Sequence, residues 1–143
     1  MIKEKRVVAS FLPCRVKAGE MEFYLQKREP NRRILPSVFT MFGGGIENGE
    51  TAEEGCLREI KEELNYTPKN MQYFTRYEVA DGVIDVFLGK VGDDFESQVN
   101  VQEGEYGKFI KRSEIRNTHE IALFTRLAAI QVALFFEQEN TSI

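Results

Sequence analysis

Residues 44–66 read GGIENGETAEEGCLREIKEELNY, a glycine loop running into a glutamate-rich helix, and the fold follows from how this stretch is read. Thr51 followed by Glu54 has the spacing of a capping box, in which the hydroxyl and the carboxylate each satisfy a free backbone N–H at a helix start. A helix is therefore expected over 52–64. Asn65 tolerates the left-handed conformation that ends helices, and Pro68 prevents continuation. At 100° per residue Glu59, Glu62 and Glu63 fall within about 100° on one face, and Leu57, Ile60 and Leu64 within about 60° on another. One face is expected to pack under a sheet while the other gathers carboxylates.

Like charges three and four residues apart repel, so such a cluster is locally unfavourable without a counter-charge. Hard divalent cations take oxygen ligands, and Mg²⁺ is held by a few carboxylates together with waters and substrate phosphate oxygens. A solvated glutamate face stabilised by neighbouring Lys and Arg is the alternative reading of EIKEE taken alone.

Outward from this stretch, 6–12 (RVVASFL) and 22–28 (EFYLQKR) are β-branched and aromatic, with a KAGE turn between them, and read as a hairpin or as neighbouring strands. A polar connection, EPNRRILPS, leads to FTMFGGG. Downstream, strands are expected over 71–79 and 83–91 around an Asp81-Gly82 turn. An acidic loop over 92–104 and a short strand YGKFI come next. A last helix is expected over 119–137, capped by Thr118 and burying Ile121, Phe124, Leu127, Ala128, Leu134 and Phe135. Strands before, between and after two helices point to an α/β sandwich with a mixed sheet, rather than a doubly wound parallel fold.

The 143 residues suit one domain, read as 1–143, and 42% hydrophobic content suffices for a core. The formal net charge of -4 disfavours non-specific nucleic-acid binding, which needs a basic patch. Cys14 and Cys56 belong to no CxxC pair, so neither a zinc site nor a disulfide framework is suggested. Cys56 beside the apolar helix face reads as a packing residue. The N-terminal stretch lacks a signal-peptide pattern, and 121–136, interrupted by Thr125, Arg126 and Gln131, falls short of a membrane span. A cytoplasmic protein without a membrane partner is the expectation.

Gly44, five residues, Glu50, seven residues, then Arg58-Glu59-Ile60-Lys61-Glu62-Glu63 resembles the Nudix box, G-x5-E-x7-R-E-U-x-E-E-x-G-U, where U is aliphatic. Asn65 and Tyr66 replace its last two positions, and Phe42 stands where many members have proline. The resemblance implies a Nudix-type α/β/α sandwich and hydrolysis of a phosphoanhydride bond in a nucleotide or nucleotide derivative, with Mg²⁺ as cofactor and Mn²⁺ as the alternative. It implies metal ligation by Glu59, Glu62 and Glu63, joined by a Gly43 backbone carbonyl, with one glutamate as base. Arg58 and Glu50 would brace the loop, and Gly44 and Gly45 would lie against the substrate.

Glu103, six residues before Phe109, resembles the E-G-x4-W stretch of the nucleotide-sanitising branch, which makes it a candidate ligand or general base. An exposed loop glutamate is the alternative, and Glu105 is an equal-looking neighbour. Arg28 resembles a position that contacts phosphate or base, with a surface strand residue as the alternative. His119 stands where relatives place a base-contacting side chain, with a capping or surface histidine as the alternative. A purine or oxidised-purine nucleoside triphosphate is the first substrate class implied; an NDP-sugar or dinucleotide polyphosphate, or a non-catalytic nucleotide-binding module, are the others. Nudix domains often dimerise, so a homodimer stays an open expectation.

Overall fold

The computed structural model describes residues 5–141, with side chains to residue 137. Residues 1–4 and 142–143 of the expected 1–143 domain, and with them the start of the N-terminal stretch read for a leader, lie outside the described residues. The chain forms β1 (Arg6–Lys17), β2 (Glu20–Lys27), β3 (Phe39–Thr40), β4 (Phe42–Gly45), α1 (Ala52–Leu64), β5 (Met71–Val79), β6 (Gly82–Lys90), α2 (Phe95–Gln98), β7 (Tyr106–Lys111), α3 (Arg112–Ile115) and α4 (Leu123–Thr141). One seven-stranded sheet has the order β3-β2-β1-β6-β5, with β4 joining β1 and β7 joining β2. β1 and β6 run parallel and the other strand pairings are antiparallel, so the sheet is mixed.

Side-chain alternation along β1 divides the core in two. Ala9 and Phe11 join Cys56, Ile60 and Leu64 of α1 on one side. Leu12 and Cys14 join Ala128, Ala129, Val132 and Ala133 of α4 on the other. This is the expected α/β/α sandwich. No helix among the described residues is long and apolar enough to cross a membrane.

α1 has the bounds its caps encode. The Glu54 N–H donates to Thr51 Oγ1 at 3.1 Å and the Thr51 N–H to Glu54 Oε1 at 3.1 Å. Asn65 is left-handed (φ 50°, ψ 43°), and its N–H donates to the Lys61 carbonyl. The other two departures from the family pattern, Tyr66 and Phe42, are absorbed by aromatic packing. Tyr66 meets Phe95 edge to face at 5.2 Å, and buried Phe42 stacks on Tyr24 at 5.9 Å.

Four expectations need correction. β1 and β2 are longer than read, because the turn tightens to Ala18-Gly19, both at positive φ, as a two-residue hairpin loop requires. Gly82 opens β6 instead of making the turn, and a Cβ there would run into the Arg6 backbone carbonyl of neighbouring β1. The acidic loop contains α2, whose Phe95 is fully buried among Tyr24, Tyr66 and Phe109. The last helix begins at Leu123, and the Thr118 hydroxyl donates backwards to the Glu114 carbonyl at the end of α3.

The buried face of α4 is also out of phase with expectation. Thr125, Ala128, Ala129, Val132 and Ala133 face the sheet, whereas Leu127, Leu134 and Phe135 are exposed. Ile121 and Ala128 are buried as expected, Phe124 is half-buried against Tyr77, and Leu57 of α1 lies at the edge of its stripe. Small residues under α4 let it lie close to the strands.

Candidate active site

The site is assembled where β4, α1 and the segment after α2 converge. β4 lies antiparallel to β1 with Gly43 opposite Ser10, Gly44 opposite Ala9 and Gly45 opposite Val8. Gly43 has φ 132°, and a Cβ there would collide with the Ala9 carbonyl. A Cβ on Gly44 would stand 2.7 Å from Glu59 Oε1. Gly43 thus admits no side chain, whereas at Gly44 a Cβ would have to push the Glu59 carboxylate aside, so β4 touches β1 with one edge and the carboxylates of α1 with the other.

Arg58 ties the helix to the loop. Its Nε and Nη2 reach Glu50 Oε2 and Oε1 at 2.8 and 3.0 Å, a two-pronged pairing, and Nη2 also donates to the Gly45 carbonyl at 3.1 Å. Nη1 reaches Glu59 Oε1 at 3.1 Å and Glu62 Oε1 at 3.3 Å. Glu50 Oε1 in turn accepts the Glu47 N–H.

Glu63 lies on the buried side of α1, 3% exposed, and its Oε2 accepts the Gly43 N–H at 2.8 Å. Burial pushes its carboxyl up to about 8, with Glu103 and Glu59 adding to the rise and the Gly43 N–H opposing it. Burial also raises Glu59, with Glu62 and Glu103 adding, against the pull of Arg58. The segment carrying Glu103 is docked on the end of α1 by backbone bonds: the Gln102 N–H donates to the Glu63 carbonyl at 2.7 Å and the Asn100 N–H to that of Leu64 at 2.9 Å. On the far side of Glu103 the Gly104 N–H donates to Glu29 and the Glu105 N–H to the Lys27 carbonyl.

These contacts enclose a cavity of about 280 Å³ lined by Glu59, Glu63, Glu103, Gly43 and Gly44, with Arg28 and Arg32 from the β2 side and Arg6, Val8 and Ser10 from β1. Depressions of about 350 and 330 Å³ lie elsewhere, along α4. Of the residues singled out in the sequence, Glu59, Glu63, Glu103, Arg28, Gly43 and Gly44 meet in one place. Glu105 does not line the cavity, which separates it from Glu103. Glu62 is turned outward onto Arg58, and Gly45 contributes its carbonyl to Arg58. His119 is exposed in the turn ahead of α4 and is not a lining residue.

Arg28 donates from Nε to the Leu35 carbonyl at 3.2 Å and from Nη2 to the Ile34 carbonyl at 3.0 Å, holding the 29–38 loop beside the cavity. Burial and neighbouring Arg32 lower its proton affinity, while Glu29, Glu103 and Glu63 raise it. The lining residues Arg6, Ser10, Gln26, Arg32 and Thr40 were not singled out. Arg6, Val8 and Ser10 recur at every second position, as do Gln26 and Arg28. That period carried the signal, but which face of each strand meets the box is a tertiary fact.

No three His, Cys, Asp or Glu side chains among the described residues form a ready-made metal cluster. The donor set still fits a hard cation of open coordination. Three carboxylates border one cavity, and two of them carry raised proton affinities that a positive charge would relieve. Cys14 and Cys56 are buried and free, their thiols pushed up to about 11 and about 12 by burial.

Residues 4–129 match the family model described as NUDIX domain. The nucleoside triphosphatase NudI of Enterobacter sp. (strain 638) is 39% identical over 51 residues, 36% of this chain and 36% of that relative, so the match spans about a third of its length. The crystal structure of a mutT/nudix family protein from Listeria innocua is similar with a TM-score of 0.75 at 15% identity, covering 96% of this chain and 98% of that one. The NUDIX domain of Shewanella oneidensis NrtR, solved in complex with ADP ribose, is similar with a TM-score of 0.73 at 13% identity, covering 98% and 91%.

Proposed function

Because the chain belongs to the Nudix family, we propose that it hydrolyses a phosphoanhydride bond in a nucleoside diphosphate derivative, with a nucleoside triphosphate as first substrate class and Mg²⁺ as cofactor. The observation that carries this reading is the convergence of Glu59, Glu63 and Glu103 on a cavity rimmed by Arg6, Arg28 and Arg32. Carboxylates alone would repel a diphosphate, and arginines alone would bind one without activating water. Both sets in one cavity suit phosphoryl transfer, which needs charge neutralisation and an aligned nucleophile.

Glu59, Glu63 and Glu103, with the Gly43 backbone, are the groups that would hold the cation; Glu62 would join them by leaving Arg58. A divalent cation bound there supplies neutralisation of the diphosphate and of the leaving phosphate. Arg28 and Arg32 bind the anionic oxygens and orient the chain of phosphates. Arg58 keeps Glu50, Glu59 and the Gly45 carbonyl in register, so that the carboxylates do not swing away as charge builds up. The attacking water gives its proton to a carboxylate oxygen of the Glu59, Glu63 and Glu103 set as its oxygen bonds to phosphorus, and the bridging oxygen departs with the leaving phosphate. Raised proton affinity suits Glu63 and Glu59 to that transfer.

Within nucleoside triphosphates, a purine or oxidised purine is the preferred base, on the Glu103-to-Phe109 spacing. The local identity with NudI supports the triphosphate. An NDP-sugar is the second reading, favoured by the likeness to a domain solved with ADP ribose. The test is phosphate and pyrophosphate release from triphosphates, NDP-sugars and dinucleotide polyphosphates, with and without Mg²⁺. Release from triphosphates above the other classes is expected. No turnover of any would overturn hydrolysis in favour of a nucleotide-binding module.

A further inference from the structure

Arg6, Arg28 and Arg32 all border the carboxylate cavity, and Arg6 stands apart from the other two. Arg28 and Arg32 come from the β2 side, and Arg28 spends two of its donors on the Ile34 and Leu35 carbonyls. Arg6 opens β1, where the strand period sets it on the same face as Val8 and Ser10. Its backbone is pinned. The Arg6 N–H donates to the Asp81 carbonyl at 3.0 Å, and Gly82 is paired so closely that a Cβ there would stand 2.1 Å from the Arg6 carbonyl oxygen. Its side chain is unspent. The guanidinium lies against β4, with Nη2 3.6 Å from where a Cβ on Gly45 would be. The carboxylates of the adjoining loop, Glu47 and Glu50, are engaged with Arg58, and among the described residues none pairs with Arg6.

We propose that Arg6 is a specificity-determining residue that binds a third phosphate, so that the cavity favours nucleoside triphosphates over compounds carrying a diphosphate alone. This rests on the phosphoanhydride reading above and names what selects among its substrate classes. The path runs along β4. Gly43, whose N–H is held by Glu63, marks the carboxylate end. Gly45, under the Arg6 guanidinium, lies two residues further on, roughly 7 Å away at the rise of a strand. A phosphate chain whose diphosphate lies at the carboxylate end, held by Arg28 and Arg32, brings its next phosphate toward Arg6. The glycines put no side chain in its way.

Charge makes the choice. A third phosphate adds negative charge to a cavity already lined by Glu59, Glu63 and Glu103, and Arg6 is the lining cation that the diphosphate leaves free. A guanidinium meets phosphate oxygens through a planar fork of charge-assisted hydrogen bonds. The sugar of an NDP-sugar would offer Arg6 only neutral hydroxyls, which form weaker bonds with a cation than an anionic oxygen does. Removing the guanidinium therefore costs a triphosphate more than it costs an NDP-sugar. Because Arg6 sits away from the carboxylate end, the loss falls on binding more than on the chemical step.

The test uses the full chain with Arg6→Gln and Arg6→Lys beside it, and far-UV circular dichroism as the check on folding. Calorimetric titration in Mg²⁺ compares a nucleoside triphosphate analogue, its bridging oxygens replaced by methylene, with the matching diphosphate analogue. Steady-state kinetics compares a nucleoside triphosphate with an NDP-sugar. Wild type should bind the triphosphate analogue about tenfold or more tightly than the diphosphate analogue, Arg6→Gln should abolish that preference, and Arg6→Lys should restore part of it. In turnover, Arg6→Gln should lower kcat/KM for the triphosphate by about ten- to a hundredfold, mostly through KM, and for the NDP-sugar by less than about threefold. If wild type hydrolyses neither compound, the phosphoanhydride reading fails while the calorimetry still decides the role of Arg6. A wild type that binds the two analogues alike or binds neither, a preference that survives Arg6→Gln, or an equal weakening of both analogues would overturn the proposal.

Discussion

Glu63→Gln should make the metal-free protein more stable while abolishing its turnover. The carboxyl is 3% exposed and pushed up from 4.5 to about 8, first by burial and then by Glu103 and Glu59. Below pH 4.5 Glu63 is protonated in both folded and unfolded chains and costs nothing. As pH rises the unfolded chain ionises first, the folded chain resists, and stability is lost until the pH passes the folded value near 8. Linkage sets that loss at roughly 3 kcal/mol at pH 7 before relaxation of the surroundings, which lowers it. Glutamine keeps an oxygen for the Gly43 N–H and offers an amide to Glu103, so the variant should recover about 1 to 3 kcal/mol at pH 8. For a chain of this length that is a rise in Tm of roughly 3 to 10 °C. The assay is thermal unfolding in EDTA at pH 5 and pH 8, repeated with excess Mg²⁺. The gap between variant and wild type should be small at pH 5, open in favour of the variant at pH 8, and narrow when Mg²⁺ stabilises the wild type. A Glu63→Gln protein no more stable than wild type at pH 8, or a gap independent of pH, would refute the reasoning.

Three further outcomes follow from contacts around the site. Arg58→Lys keeps the charge but loses the fork that holds Glu50, the Gly45 carbonyl and Glu59 together; kcat/KM should fall by about tenfold or more with little change in far-UV circular dichroism. Gly44→Ala would put a Cβ 2.7 Å from Glu59 Oε1, so steady-state assays should show turnover lost far more than folding, with Mg²⁺ affinity weakened in parallel. Neither cysteine should react in the native protein at pH 8, because thiols pushed up to about 11 and about 12 are protonated as well as buried; labelling by a thiol reagent should appear only on unfolding.

How far the sequence could be read depended on whether a feature was local. The capping box and the left-handed Asn65 are encoded within a few residues, and each has its expected geometry. The roles of the three glutamates were not separable, because a helical wheel does not say where the sheet presses. The buried arc of α1 is centred on Cys56, Ile60 and Leu64, so it takes in Glu63, half-covers Glu59 and leaves Glu62 to Arg58. The last helix misled for the same reason. Two opposite apolar stripes satisfy the same periodicity, and the larger residues would ordinarily define the core; the sheet here receives the small ones instead. Arg6 and Ser10 were silent because their approach to the box depends on β1 lying against β4, a pairing between segments more than thirty residues apart, and Arg32 because its place depends on the 29–38 loop that Arg28 holds beside the cavity.

The most direct measurement is product analysis of a nucleoside triphosphate incubated with the full chain and Mg²⁺. Nucleoside monophosphate and pyrophosphate should accumulate, stop in EDTA, and be absent with Glu63→Gln although that variant is folded. Turnover that persists in EDTA, or that survives Glu63→Gln at near wild-type rate, would contradict hydrolysis at the carboxylate-lined cavity of α1.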